Sequence, residues 1–268
     1  MNGSLFVTMM KNNAKTVCSF TFGSMFYLVL IIWLYPYIAD SKVFDTMFET
    51  LPEGYMKAFG LHAGISSLSG FVAGEYYGLL FIIILLIFCV TTATQLIARL
   101  VDRGSMAYLL ASGLSRMKIA LTQASVILIC LTVIITLTTL TGVIGAELFI
   151  EENNFATGSF IKLNIVTYLL FFVISGYCFL FSCLFNDEKR ALAISGALSF
   201  IFFAVDMLAK VSDKLDWLQY FTVFSLFDAT SIAEGNVDIL PISISLGSAG
   251  ILLYALAIII FKKKDLPL

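Results

Sequence analysis

Tyr76-Tyr-Gly-Leu-Leu-Phe-Ile-Ile-Ile-Leu-Leu-Ile-Phe-Cys-Val-Thr-Thr-Ala-Thr-Gln-Leu-Ile-Ala98 holds 23 residues without a charged side chain, closed by Glu75 and Arg99. A helix needs about 20 apolar residues to cross roughly 30 Å of hydrocarbon, so this stretch reads as a membrane span. Working outward, charge-free runs of 24, 28, 24 and 23 residues lie between Lys15 and Asp40, Lys118 and Glu147, Lys162 and Asp187, and Asp238 and Lys262. A sixth run, Ala191 to Val205, has 15 residues and reaches Ala209 if Asp206 is tolerated. The expected fold class is therefore an all-α integral membrane protein. Six transmembrane helices are placed near 16–39, 76–98, 119–146, 163–185, 191–209 and 239–261, and residues 1–268 form one transmembrane domain.

Composition agrees. Of the 268 residues, 60% are hydrophobic and 13% charged, and the mean hydropathy is +0.98. A soluble domain carries about 25% charge. Too little polar material remains to cover a water-facing surface, which excludes a soluble enzyme and a disordered chain. A net charge of −2 leaves no basic footprint for nucleic acid. The five cysteines lie in apolar runs without a CxxC pair, and behave as small hydrophobes rather than disulfide or zinc partners. One histidine, His62, makes no metal site by itself. The first apolar run is far longer than a signal h-region of about 7–15 residues, so no cleavable signal is expected.

Orientation follows from loop lysines and arginines. With both termini on one side, that side carries eleven of the sixteen basic residues and the other side five, which places both termini in the cytoplasm. Asn186 to Arg190 becomes a tight cytoplasmic hairpin. Ala58 to Gly74, with four glycines, makes a poor span.

Four segments between or within the spans invite a functional reading. In the loop after the second span, Ser105 suits an N-cap and Gly113 a left-handed stop, giving a short helix near 105–113. Met106, Leu109 and Leu110, continued by Leu114, share one apolar face. That face either docks a soluble partner or rests on the inner leaflet. Leu5, Phe6, Met9 and Met10 give residues 3–15 the pattern of an amphipathic elbow lying along the membrane surface, against a frayed tail. The third span carries threonines, of which Thr132, Thr136 and Thr139 are candidates for lining a conduit, though such hydroxyls also serve ordinary helix packing. Between the last two spans, 210–238 is too apolar to float free and too charged to span. There Trp217, Tyr220, Phe221 and Phe224 recur at i, i+3, i+4 and i+7, so one helix would present all four as an outer gate or as an interfacial anchor. Asp206, four residues before Lys210, reads as a helix end closed by an i,i+4 pair. No P-loop occurs, no catalytic residues stand out, and no metal site is expected.

Several stretches resemble a known family. Leu51-Pro-Glu-Gly-Tyr-Met-Lys-Ala-Phe-Gly60 and Gly70-Phe-Val-Ala-Gly-Glu-Tyr-Tyr-Gly-Leu-Leu80 are similar to the outer loop and second helix of ABC-2 type permeases, the membrane subunits of ATP-binding-cassette exporters. Asp102-Arg-Gly-Ser-Met-Ala-Tyr-Leu-Leu110 with Gly113-Leu-Ser-Arg116 resembles the family's cytoplasmic segment, and Phe261-Lys-Lys-Lys-Asp-Leu-Pro267 its ending. The family often has proline where this chain has Gly113. The resemblance implies a type V exporter-like permease of a bacterial plasma membrane that pairs with a second copy or paralogue in the lipid bilayer. It also implies a cytoplasmic ABC ATPase partner that holds the ATP and magnesium, leaving this chain without a cofactor. Ser105, Met106, Leu109, Leu110, Leu114 and Arg116 would then form the coupling helix that docks the ATPase. Spans without charges suit a hydrophobic or amphipathic peptide, toxin or antibiotic as the cargo class. The alternative is a self-sufficient secondary transporter or channel, for which inverted repeats and buried charges would be needed.

Overall fold

The computed structural model describes residues 1–39, 67–150, 155–211 and 213–266. Among them there is no strand. Hydrocarbon offers no partner for a backbone N–H or C=O, so a spanning segment must satisfy its own, which a helix does.

Six helices are long and apolar enough to cross a membrane: α1 (Gly3–Ala39), α2 (Leu68–Asp102), α4 (Arg116–Phe149), α5 (Thr157–Leu184), α6 (Glu188–Val211) and α8 (Ile239–Lys263). Two short helices, α3 (Ser105–Ala111) and α7 (Ala229–Ala233), lie in the connections. Most of the long helices run past the limits set by charge. Charge marks where the apolar run stops, whereas a helix continues until a cap or turn ends it. Thus α2 begins at Leu68, passes Glu75, and carries a π-helical stretch over Ala73–Leu80. Of the glycine-rich stretch 58–74, residues 58–66 lie outside the described residues, as do His62 and the motif 51–60.

Burial separates centre from periphery. In α2 and α5 two thirds of the most apolar window is buried, against 28% in α6 and α8, so α2 and α5 form the core. α8 packs along α5, α1 along α4, and α6 against α2 and α5. Glycines allow the closest approaches. A Cβ at Gly250 of α8 would collide with the Phe172 ring of α5, and one at Gly176 of α5 would meet Leu253 and Tyr254 of α8. Each helix thus notches into the other, and Phe172 and Tyr254 stack at 5.3 Å between centroids. Packing at small residues is what holds helices together where both lipid and protein are apolar.

The elbow expected over 3–15 is not a separate element. α1 is one unbroken helix of 37 residues, and its first turns run alongside α4 instead of bending away. The Asn2 backbone N–H donates to Thr122 Oγ1 at 3.0 Å, and Cys130 Sγ lies 3.7 Å from Met10 Sδ. Eight residues of α1 therefore match eight of α4. The apolar pattern of Leu5, Phe6, Met9 and Met10 is used, but against a neighbouring helix.

Candidate functional site

Three places gather the residues singled out by sequence. One is the end of the bundle where Arg99, Arg103, Arg116 and Lys264 cluster, called the basic end below. There Gly104 adopts φ 70°, a left-handed turn that suits glycine, and takes the capping position. Ser105 is consequently the first residue of α3 and not its cap. Gly113, at φ 81°, ends the turn that follows.

The apolar face of α3 points inward, which reverses the expectation of an exposed docking face. Met106 is fully buried, and Leu109, Leu110 and Leu114 pack partly buried against the core. The bundle itself covers the face. What α3 shows outward is Tyr108, 82% exposed, together with Ala111 and Ser112. Arg116 is also engaged internally: its guanidinium donates to the Lys264 carbonyl. The Lys264 ammonium donates to the Cys183 carbonyl at 2.9 Å, and burial holds its pKa below the ordinary lysine value.

A residue that the sequence did not single out joins this end together. Glu188, at the start of α6, places Oε1 3.7 Å from Arg99 Nε and Oε2 3.7 Å from Arg103 Nε. Its backbone N–H donates to Asp102 Oδ2 at 3.2 Å. The chain around α3 is thereby tied to the first turn of α6.

The second place is a groove of about 520 Å³ between α4 and α5. Thr132, Thr136 and Thr139 all line it, with Asn164, Tyr168 and apolar residues such as Ile135 and Leu169. Their spacing on α4 puts them on one face, and α5 supplies the opposite wall. Thr132 and Thr139 donate to their own helix, to the Leu128 and Ile135 carbonyls at 2.8 and 2.7 Å. Asn164 was legible in the sequence only as an isolated amide near the start of a span. In the fold it is nearly fully buried, accepts from Tyr77 Oη at 2.8 Å and donates to the Phe160 carbonyl at 2.9 Å. Tyr77 belongs to the π-helical stretch of α2, and such stretches are frequent at functional sites.

The third place is the opposite end. The single helix expected to carry four aromatics on one face is replaced by two 3₁₀ helices, Asp213–Phe221 and Val223–Leu226. Thr222 separates them. Its hydroxyl donates to the Phe202 carbonyl at 3.0 Å and accepts from the Phe224 N–H at 3.1 Å. Phe224 is buried against Phe203 with centroids 5.5 Å apart, whereas Trp217, Tyr220 and Phe221 are exposed. Three residues per turn, not 3.6, dissolve the i+4 and i+7 register. Nearby, Lys210 Nζ pairs with Asp206 Oδ2 at 2.7 Å, the expected i,i+4 contact. Asp228 caps α7. Burial alone would raise its carboxyl pKa, but hydrogen bonds from Ser231 and Thr230, with the Lys210 charge, hold it below the ordinary value.

Set against known families, residues 6–266 match the ABC-2 family transporter protein profile. No curated protein matches the chain.

Proposed function

Since the chain belongs to the ABC-2 transporter family and is a multi-pass membrane protein, we propose that it is the permease subunit of an ATP-driven exporter, working as a pair of permease chains. The basic end faces the cytoplasm, following the Lys/Arg bias, and a separate ABC ATPase with its ATP and magnesium docks there. The observation that carries this reading is α3. A short helix, anchored by buried Met106 and entered through a turn whose Arg103, like Arg99 before it, pairs with Glu188 of α6, presents Tyr108 to solvent. Motion imposed on such a helix passes to a span instead of being absorbed by a loop. The ATPase then needs only to bind two permease states with different affinity for its cycle to shift their populations.

The cargo is a hydrophobic or amphipathic molecule. Apolar surface suits such a molecule, and the exposed Phe22, Phe26, Trp33 and Tyr37 of α1 offer it.

Tyr108→Asp is expected to abolish co-purification of the ATPase while leaving thermal unfolding of the permease unchanged. Leu109→Asp with Leu110→Asp, by contrast, should unfold the basic end, because both side chains pack on the core. Recovery of the ATPase at wild-type yield with Tyr108→Asp would refute docking through α3.

A further inference from the structure

The first half of α1 carries its buried residues, Leu5, Asn13 and Val17, on the side facing the bundle. The other side exposes Val7, Ala14 and Cys18 beside a polar arc. Ser4, Thr8, Lys11, Asn12, Lys15 and Ser19 are all exposed, and at 3.6 residues per turn they fall within about 100° of arc. The same arc continues upward through Phe22, Phe26, Trp33 and Tyr37, each at least half exposed. Phe22 stacks on Phe26 at 6.2 Å and Trp33 packs on Tyr37 at 5.6 Å.

The depth of the polar part is unusual. Met10 lies beside Cys130, and Cys130 is 14 residues, about 21 Å, along α4 from Arg116. Lys11 and Lys15 therefore stand near the middle of a span that runs charge-free from Ile119 to Ala146. A lysine reaches the interface from a helix end, not from mid-depth, and an unpaired ammonium in hydrocarbon is strongly disfavoured. Neither lysine makes an ion pair or side-chain hydrogen bond among the described residues. The two carboxylates described within spanning helices, more than a turn from either end, lie elsewhere. Glu75 precedes Tyr76, which stacks on Tyr27, 12 residues or about 18 Å along α1 from Lys15, and Asp206 pairs with Lys210.

We propose that this face of α1 lines a water-accessible conduit and that Lys11 and Lys15 receive the anionic group of the transported amphiphile, with its apolar body against the aromatic residues above. The assignment rests on the reading of the chain as a permease and narrows its cargo to anionic amphiphiles. Phe22 follows Lys15 by seven residues, about 10 Å, a spacing that a medium-length hydrocarbon body bridges.

The test uses the full chain in phosphatidylcholine nanodiscs with Trp217→Phe, leaving Trp33 as the sole energy-transfer donor. The probe is a saturated chain of eleven carbons with a carboxylate at one end and a dansyl group at the other. Loss of one charge-assisted contact predicts about tenfold weaker binding of its methyl ester. Lys11→Gln with Lys15→Gln should erase that difference, and Lys11→Arg with Lys15→Arg should keep it. Equal binding of acid and ester by the wild type, or an undiminished preference in the glutamine pair, would overturn the proposal. Phosphatidylglycerol added to the nanodisc should leave the acid's affinity unchanged. Displacement of the acid by that lipid would make the face a headgroup site and would likewise overturn it. The assay contains neither ATP nor ATPase, so its failure leaves ATPase docking standing, and failure of docking leaves this result standing.

Discussion

The α4–α5 groove and the polar face of α1 lie at similar depth yet solve the same problem in opposite ways. Thr136 is 20 residues, about 30 Å, along α4 from Arg116, close to the level of Lys15. In the groove, the Thr132 and Thr139 hydroxyls return to the backbone of their own helix and Asn164 is satisfied on both sides of its amide. No charged side chain there demands water. On α1, two ammonium groups without partners among the described residues demand either water or an anion. Exposure in the isolated chain is therefore a poor guide to environment. What an exposed side chain still lacks tells whether lipid can cover it.

The largest effect is expected from moving a lysine between the two surfaces. Thr136→Lys places an unpaired charge in the dry groove and should cost about 3 kcal/mol, enough to lose most of the folded protein in detergent size-exclusion profiles. Thr8→Lys, on the α1 face, should leave the profile unchanged. Equal tolerance of both would break the comparison. A smaller effect sharpens it. Asn164→Leu leaves the buried Tyr77 hydroxyl without its acceptor and should lower stability by about 1–3 kcal/mol, read from thermal unfolding. Tyr77→Phe added to it should restore most of the loss, since removing both partners abolishes the unpaired group.

Much of this was legible in the sequence. Charge-free runs gave the number of long apolar helices, six, because an ionisable side chain is costly in hydrocarbon whatever the packing. Thr132, Thr136 and Thr139 shared a face by spacing alone. Gly113 marked a stop, since left-handed backbone favours glycine. Other features were hidden for one recurring reason: periodicity says that a face is covered, not by what. Leu5, Phe6, Met9 and Met10 fit a membrane surface as well as α4, and the α3 face fits a partner as well as its own bundle. The aromatics after Lys210 were read with the α-helical period, which the 3₁₀ turns and the Thr222 break do not follow. Glu188 was invisible because its partners, Arg99 and Arg103, lie far away in the chain. The lysines of α1 were counted as loop charges, and only the contacts of Asn2 and Met10 with α4 reveal their depth.

The central claim is that water reaches α1 and not the groove. In a Cys18→Ser background the remaining cysteines, Cys89, Cys130, Cys178 and Cys183, are buried. Single cysteines at Ser19 and Thr136, both exposed in the chain, can then be treated in membrane vesicles with a methanethiosulfonate bearing a trimethylammonium group. Modification of Ser19→Cys with Thr136→Cys left unreacted is the predicted result. Modification of Thr136→Cys with Ser19→Cys left unreacted would contradict the account.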